Sequence, residues 1–336
     1  MIERLLRRLN QFSSQSFGIR AVRAERLYPW QIEPGRAGTA GTSALPDGAA
    51  SWLRPDNPRL IELVERYAAF DPRVSEPAAW TPDRLRDVDL RLFRADNAYV
   101  WQVRGLNLNP LAYALCYYHF AAGDSDGLLD RLDEDDLFGV HLFELDGRLV
   151  SRDLIDSARE IQFLRRHLGL GENPATLLDI GAGYGRLPWR LHQAFGGAVR
   201  SYATDGFAPS TFLCDYYLRF RGASSATTVP LDEVEALLES TPIDVATNVH
   251  SFSECTPEAV AWWVARLAAH RVPHLFVVPN AGSSEGRICE TGDGTDIEPI
   301  FERFGYRPVA REPRCTDPFV QTHGIDPVWL HLFALS

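Results

Sequence analysis

The chain has 336 residues, of which 45% are hydrophobic and 24% are charged, a balance typical of a globular protein with a sizeable core. Its net charge of -11 and its lack of a basic tract argue against nucleic acid as a partner, because phosphate binding requires clustered positive charge. Five scattered cysteines without a C-x-x-C pair argue against a disulfide framework and a zinc site. We therefore expect a cytoplasmic protein with one large or two ordinary domains.

The N-terminal part of the chain predicts helices that are interrupted by one polar segment. Residues 1–30 have a helical pattern, and residues 31–57 are rich in Gly, Pro, Ala, Ser and Thr, which predicts a loop or lid. Helical periodicity returns at 58–67, and Pro82 after Thr81 predicts a further helix start. The first nine residues are amphipathic but contain no continuous apolar segment, so they predict neither a secretory signal nor a membrane span.

An apolar helix is predicted from Pro110, and an acidic run at 124–136 follows it. The run lacks the alternating ligands of a calcium loop, so we expect a solvated connection. Residues 1–150 are expected to form a mainly helical region for acceptor binding or oligomerisation, with a homodimer as one expected assembly. Residues 151–336 are expected to form a separate α/β domain.

The segment 176–186, T-L-L-D-I-G-A-G-Y-G-R, organises the second half of the chain. Its apolar run predicts one buried parallel strand, and Gly181, Gly183 and Gly185 predict a turn. A helical pattern follows with Pro188 in its first turn, where a missing N–H costs nothing. Strand, glycine turn and helix form the opening of a nucleotide-binding βαβ unit, in which a cofactor lies against bare backbone.

The spacing of the glycines distinguishes between cofactors. A dinucleotide fingerprint requires G-x-G-x-x-G, whereas this turn has G-x-G-x-G with Asp179 two residues before its first glycine. A second predicted strand ends in Asp205, about 20 residues past Gly185, where a ribose-binding carboxylate belongs. The pattern resembles motif I of the class I S-adenosylmethionine (SAM) methyltransferases, [D/E]-x-G-x-G-x-G, and the resemblance implies SAM as the cofactor.

This resemblance assigns the cofactor to a defined set of residues. In the family, the acidic residue of motif I lies near the methionine end of SAM, and the glycines let the backbone approach the cofactor. The residues expected to bind it here are Asp179, Gly181, Gly183, Tyr184, Gly185, Asp205 and Asn248.

Alternating strand and helix patterns continue towards the C-terminus. Strands are predicted at 226–229, 243–249 and 274–280, and a polar loop follows at 281–296. Two last strands, near Val309 and at 329–334, complete a sheet of seven strands whose last strand is antiparallel. The fold class is therefore expected to be α/β, with the Rossmann-like sheet of a class I methyltransferase and a mainly helical N-terminal region.

Polar side chains end the fourth strand of this predicted sheet, in the run N-V-H-S-F-S-E at 248–254. Ligands bind beyond the carboxyl ends of the strands in open α/β sheets. This rule places an imidazole (His250), a hydroxyl (Ser251) and a carboxylate (Glu254) at the expected site.

A second, narrower resemblance rests on three short patterns. N-x-x-S-F-x-E at 248–254, S-R-D-L at 151–154 and D-I-G-A-G-Y-G at 179–185 resemble sugar O-methyltransferases of bacterial antibiotic-glycoside and polysaccharide pathways, including methylmannose polysaccharide methyltransferases. The resemblance covers residues 150–336 and implies methylation of a hydroxyl on a sugar or oligosaccharide. It implies SAM and a carbohydrate acceptor as partners.

The implied chemistry requires a base and an acceptor site. A sugar hydroxyl is a poor nucleophile until its proton is leaving, so a nearby base accelerates transfer by about 10²–10⁴-fold. Glu254 and His250 are both suited to that role, and the sequence does not choose between them. The residues expected to contact the acceptor are Arg152, Asp153, Ser251, Glu285 and His323.

Four further alternatives stay open in the sequence. A divalent metal such as Mg²⁺ could activate the acceptor hydroxyls, with Glu254, Glu290 and Asp293 as its expected ligands. The activity could instead be that of a small-molecule N- or phenol O-methyltransferase, or of an NAD(P)-dependent oxidoreductase. A non-catalytic partner protein with the same fold would bind SAM without methylating a sugar.

Overall fold

The computed structural model describes residues 44–76, 89–95, 110–280, 284, 286–325 and 328–336. The α-helices in these ranges are α1 (Ala49–Trp52), α2 (Pro58–Ala68), α3 (Pro72–Ser75), α4 (Pro110–Ala122), α5 (Arg152–Leu168), α6 (Arg186–Phe195), α7 (Ala208–Phe220), α8 (Val234–Ser240), α9 (Pro257–Ala269), α10 (Glu298–Arg303) and α11 (Pro318–His323). The strands are β1 (Phe143–Leu145), β2 (Arg148–Val150), β3 (Ala175–Ile180), β4 (Val199–Thr204), β5 (Ala226–Thr228), β6 (Val245–Val249), β7 (His274–Val278), β8 (Tyr306–Pro313) and β9 (Trp329–Leu335). Short 3₁₀ helices cover Leu90–Leu92, Leu129–Arg131, Gly196–Ala198, Leu231–Glu233 and Ser251–Glu254.

Seven strands form one sheet in the order β5-β4-β3-β6-β7-β9-β8. Neighbouring strands from β5 to β7 are parallel, and β9 runs antiparallel to both β7 and β8. The predicted α/β fold class, with seven strands and an antiparallel last strand, is confirmed. Across the described ranges, we find no helix with the length and apolar character that crossing a bilayer would require.

Strand β3 is apolar because it lies in the middle of the sheet and is covered on both faces. Its side chains Leu177, Leu178 and Ile180 are at most 1% exposed, which is typical of a central parallel strand. Helix α5 leads into it and begins at Ser151, whose hydroxyl accepts a hydrogen bond from the Leu154 N–H at 3.1 Å. The helix ends at Gly169 in a left-handed conformation.

Two helices and a two-stranded hairpin of this architecture were not predicted from the sequence. Helix α7 connects β4 to β5, and its start carries a familiar signal, a proline in the first turn. Strands β1 and β2 form a separate hairpin around Asp146 and Gly147, both with positive φ, and an Asp-Gly pair is the usual signal for such a turn. Helix α11 follows Asp317, whose carboxylate accepts a hydrogen bond from the Phe319 N–H at 2.7 Å.

The acidic run at 124–136 is only in part the solvated connection that its composition predicts: Asp126, Asp130, Asp133 and Asp136 are exposed, but the Glu134 side chain is not. The Glu134 side chain is 2% exposed, because its two carboxylate oxygens accept hydrogen bonds from Arg94 at 2.5 Å and from Arg190 at 2.7 Å. These charge-assisted bonds offset the cost of removing the carboxylate from water. Burial is the largest single influence on the pKa of Glu134 and acts to raise it. The two arginines nevertheless lower this pKa to about 2. Glu134 therefore joins the N-terminal region to α6.

The N-terminal helices share a hydrophobic core with the sheet. Helix α2, predicted at 58–67, contributes buried Leu60, Leu63 and Tyr67 to the cluster that includes Leu178 and Tyr217. The predicted helix at 1–30 and the helix start at Thr81 lie outside the described residues. Part of the predicted loop at 31–57 is helix α1. The division of the chain at residue 150 stays a prediction.

Tyr67 joins α2 to the α/β part of the chain through its hydroxyl. That oxygen lies 2.8 Å from the Thr211 Oγ1 and accepts a hydrogen bond from the Leu231 N–H at 2.8 Å. We expect Tyr67→Phe to lower the free energy of unfolding by about 1–3 kcal/mol, because it leaves a buried N–H without its acceptor. Urea denaturation measures this loss. The matched control is Tyr216→Phe, which changes a half-buried tyrosine on α7. An equal effect in both variants would contradict the role of the Tyr67 hydroxyl in joining α2 to the α/β part of the chain.

Candidate active site

A cleft opens where the carboxyl ends of β3, β4 and β6 meet. The strand order reverses between β3 and β6, and ligands of open α/β sheets bind at this kind of switch point. The N-terminal part of the chain contributes to the cleft through Val74, and α9 contributes Ala259 and Trp263, three residues that the sequence analysis missed. Of the predicted site residues, the cleft brings together Arg152, Asp153, Asp179, Gly181, Gly183, Asp205, His250, Ser251 and Glu254.

The glycine turn lies between β3 and α6, where the backbone approaches its neighbours closely. Gly181 has a φ of +71°, and a Cβ atom at this position would lie 2.2 Å from the Ser251 Oγ. The N–H groups of Gly181 and Ala182 both donate to the Thr204 carbonyl, at 2.9 and 3.0 Å. Only glycine fits at residue 181, since it needs no space for a side chain and tolerates positive φ.

Asp205 follows β4 and connects the second strand to the glycine turn. One carboxylate oxygen accepts a hydrogen bond from the Gly183 N–H at 3.0 Å, and the other accepts one from the Phe207 N–H at 2.8 Å. Burial raises the pKa of Asp205 to about 7, although these two hydrogen bonds act in the opposite direction. A half-buried carboxylate in this position is suited to accept hydrogen bonds from two neighbouring hydroxyl groups.

Asp179 and Asn248 hold the ends of β3 and β6 in register. The Thr247 hydroxyl donates to Asp179 at 2.6 Å, and the Asn248 amide donates to the Ile180 carbonyl at 2.9 Å. The Asn248 side chain also accepts a hydrogen bond from the Phe252 N–H at 2.7 Å. Asn248 is fully buried and does not line the cleft, so it fixes the segment after β6 relative to the glycine turn.

The pKa of Asp179 makes stability depend on pH. Burial raises this pKa to about 7, above the value near 3.9 expected in the unfolded chain. Between about pH 4 and 7 the native state therefore binds more protons, so this group makes the free energy of unfolding fall as pH rises.

We expect Asp179→Asn to reduce this pH dependence of the free energy of unfolding by up to about 1.4 kcal/mol per pH unit, because the variant removes the titrating carboxyl. Asparagine still supplies an oxygen that accepts the hydrogen bond from the Thr247 hydroxyl. Urea denaturation at pH 5, 6, 7 and 8 measures the slope. The exposed residue Asp47 gives the control variant, Asp47→Asn. A slope that is unchanged in Asp179→Asn would contradict the assignment.

The segment after β6 carries the candidate base residues. His250 has a φ of +69°, a strained conformation for a residue with a side chain, and it begins the 3₁₀ helix Ser251–Glu254. Burial lowers the pKa of His250 to about 3, which leaves its imidazole neutral at pH 7. Glu254 lines the cleft close enough to Asp205 for its charge to help raise the pKa of that carboxyl.

The first turns of α5 form another part of the cleft wall, through Arg152, Asp153 and Asp156. The Arg152 Nε donates to Asp156 at 3.1 Å, and Asp156 also pairs with Arg314 at 3.3 Å. Further along α5, Glu160 lies 2.8 Å from Arg186, the first residue of α6. Arg186 could not be singled out from the sequence, because its charged partner Glu160 comes from the preceding helix, 26 positions away.

Of the residues predicted to bind cofactor or acceptor, three besides Asn248 do not line the cleft. Tyr184 is 1% exposed in the core beneath the turn, where its hydroxyl donates to Asp153. Gly185 begins α6 and is absent from the cleft lining. His323 ends α11 and packs against Phe319, with ring centroids 4.6 Å apart, also outside the cleft lining. Glu285 lies outside the described residues.

The predicted metal ligands do not come together among the residues that the structure describes. Glu254 lines the cleft, Glu290 accepts a hydrogen bond from the Ser284 N–H at 2.9 Å, and Asp293 accepts one from the Thr295 N–H at 3.2 Å. Elsewhere in the described ranges, the possible metal-ligand atoms of Cys289, Glu298 and His331 lie within 4.8 Å of one another. These three residues do not line the cleft.

Comparison with known proteins gives one curated relative and several structural neighbours. No protein-family model matches the chain. The chain is 25% identical over 154 residues to the human ribosome assembly protein METTL17 of mitochondria; the match covers 42% of this chain and 34% of that protein. The chain thus spans about a third of the length of the curated relative that it matches.

Among solved structures, mitomycin 7-O-methyltransferase MmcR is 20% identical, with a TM-score of 0.37 and coverage of 54% of this chain and 57% of that chain. A SAM-dependent methyltransferase from Aquifex aeolicus is 14% identical, with a TM-score of 0.41 and coverage of 68% and 100%, respectively. The strand order, with β9 antiparallel between β7 and β8, is that of the Rossmann-like methyltransferase fold, and the glycine turn, Asp179 and Asp205 lie in its cleft.

Proposed function

We propose that this protein transfers a methyl group from SAM to a hydroxyl of a sugar or oligosaccharide. The observation that carries the proposal is the position of Glu254. Glu254 lines the same cleft as the glycine turn and Asp205. A base therefore faces the site where a cofactor lying along the turn would present its reactive end.

The residues of the cleft fit a sulfonium nucleoside. Asp205 supplies two acceptor oxygens at the end of β4, a position suited to ribose hydroxyls. The bare backbone of 181–183 supplies a surface for close approach, and Val74 and Trp263 supply apolar surface in the same cleft. When bound, SAM supplies an electrophilic methyl group on a positively charged sulfur.

Glu254 is the better of the two candidate bases. General-base catalysis is most effective when the pKa of the base is near the operating pH. His250, whose pKa is lowered to about 3 by burial, is a weak proton acceptor at pH 7. We propose that Glu254 takes the proton of the acceptor hydroxyl and that His250 shapes the turn that presents Glu254.

The α5 wall is the proposed acceptor side. Asp153 and Asp156 line the cleft together with Arg152, and such a mixture of charged donors and acceptors is suited to hydroxyl groups, which both donate and accept hydrogen bonds. Ser251, which also lines the cleft, adds a hydroxyl of its own. We propose that these groups orient the sugar ring so that one hydroxyl faces Glu254.

The experiment is a methyl-transfer screen with isotopically labelled SAM. The full-length chain is incubated with simple sugars, nucleotide-linked sugars and mannose oligosaccharides, and in parallel with phenols and amines. We expect label in the carbohydrate fraction, with base-stable methyl ethers as products. Label confined to phenols or amines would reject the sugar assignment. Reactions with and without EDTA separate metal-assisted from metal-independent transfer.

The similarity to METTL17 favours a second candidate function, that of a non-catalytic assembly partner. That relative is described as a ribosome assembly protein. A chain of this kind would bind the cofactor without methylating any acceptor of the screen. The net charge of -11 weighs against direct contact with nucleic acid phosphates.

A further inference from the structure

Two cysteines that are 199 positions apart in the sequence meet beside a second cavity. Cys116 lies on α4 and Cys315 lies between β8 and α11, and their sulfur atoms are 3.9 Å apart. Both line a cavity of about 520 Å³ between α4 and α5, together with His119, Arg159 and Arg314. The two side chains are 1% and 7% exposed, so the cavity is their route to small molecules.

We propose that Cys116 and Cys315 form a redox-sensitive thiol pair, which a hydroperoxide converts into a disulfide. The sulfur atoms need to approach by about 2 Å to reach the length of an S–S bond. The partners lie on a helix and on a connecting segment, and the connecting segment can supply this movement.

The surroundings of Cys116 favour its reaction as a thiolate. Cys315 donates its S–H to the Cys116 sulfur, and the Ile325 N–H lies 3.3 Å from the same atom. The Cys315 hydrogen bond and the charge of Arg314 lower the pKa of the Cys116 thiol. The thiolate is the reactive form of cysteine. In contrast, burial raises the pKa of Cys214, Cys255 and Cys289.

The reaction balances with hydrogen peroxide as the oxidant. The Cys116 thiolate attacks one oxygen, the O–O bond breaks, and a sulfenic acid forms as hydroxide leaves. The sulfur of Cys315 then attacks the sulfenic sulfur, the S–O bond breaks, and the S–S bond forms as the second oxygen leaves as water. Overall, two thiols are oxidised to one disulfide, and one peroxide is reduced to two waters.

The thiol pair is connected to the cleft through Arg314. This arginine precedes Cys315, its carbonyl accepts a hydrogen bond from the Arg159 Nε at 2.7 Å, and its guanidinium pairs with Asp156 at 3.3 Å. Asp156 lines the cleft beside Arg152. Because the bond would draw Cys315 towards α4, we infer that oxidation shifts Arg314 and weakens cofactor binding in the cleft.

The test uses the reduced full-length chain, treated with hydrogen peroxide and then with an alkylating reagent under denaturing conditions. Peptide mass spectrometry should find a Cys116–Cys315 linked peptide that dithiothreitol removes, while Cys214, Cys255 and Cys289 are recovered alkylated. Cys116→Ser and Cys315→Ser should each abolish the linked peptide, and the control Cys289→Ser should retain it. Independent oxidation of the two cysteines, or no reaction at either, would overturn the proposal.

A second readout examines the connection to the cleft. Calorimetry should show that S-adenosylhomocysteine (SAH) binds the oxidised chain at least about threefold more weakly, and that the two serine variants are insensitive to peroxide. An unchanged affinity in a fully cross-linked sample would overturn the coupling. This arm rests on the proposed cofactor, whereas the cross-link does not. A reduced chain that fails to bind SAH would therefore count against the proposed function and leave the thiol pair standing.

Discussion

Asp205→Asn is expected to weaken SAH binding by about 10- to 150-fold. The variant replaces one of the two acceptor oxygens at the end of β4 with an NH₂ group and removes the charge. A hydrogen bond to a charged group is worth about 1.5–3 kcal/mol, and 1.4 kcal/mol corresponds to a tenfold change in affinity. Isothermal titration calorimetry at pH 8, where the Asp205 carboxyl with its pKa of about 7 is mostly ionised, measures the change.

The matched control for this prediction is Asp215→Asn. Asp215 lies on α7, the helix that follows β4, and it pairs with Arg219. It does not line the cleft. We expect this variant to bind SAH within about threefold of the unmodified chain. The affinity of the unmodified chain should also decrease as pH falls below 7, because protonation removes the Asp205 charge. Equal affinities for the two asparagine variants would show that the ribose contact is elsewhere.

Glu254→Gln is expected to lower kcat for methylation of the sugar acceptor by about 10²–10⁴-fold, the contribution of a positioned general base. Glutamine keeps the shape of the side chain but cannot accept the proton at neutral pH. SAH affinity should change by less than about threefold, because we assign Glu254 to the acceptor and not to the cofactor. Initial rates at saturating SAM and acceptor measure the effect.

Glu258→Gln provides the control, because Glu258 is exposed in the first turn of α9 and does not line the cleft. Its kcat should match that of the unmodified chain. A phenol or amine acceptor needs less help from a base, so a nearly unchanged rate in Glu254→Gln would favour the rival methyltransferase classes. Loss of SAH binding in the same variant would instead assign Glu254 to the cofactor.

Local signals explain why the sheet and the glycine turn could be predicted from the sequence. The apolar run before Gly181 is continuous because β3 is buried on both faces, and the turn requires glycine at residue 181 because Ser251 leaves no space for a Cβ atom. Asp205 stands out for a similar reason, since it ends a strand at the spacing of a βαβ unit. Each of these features is encoded within a few residues.

Features that depend on distant partners could not be predicted in this way. The acidic run suggests a solvated segment, yet Glu134 is buried because Arg94 and Arg190 reach it from 40 and 56 positions away. The cysteine count argues against a disulfide framework, but only the fold brings Cys116 and Cys315 together. Tyr184 occupies a motif position, and its burial became apparent only from its packing against Phe93 and Tyr217.

We expect the cleft at the glycine turn to accept a sulfonium nucleoside and not a dinucleotide. Calorimetric titration of the full-length chain with SAH and, separately, with NADH tests it most directly. We predict saturable binding of SAH at one site per chain and no measurable heat with NADH. Binding of NADH without binding of SAH would contradict the account.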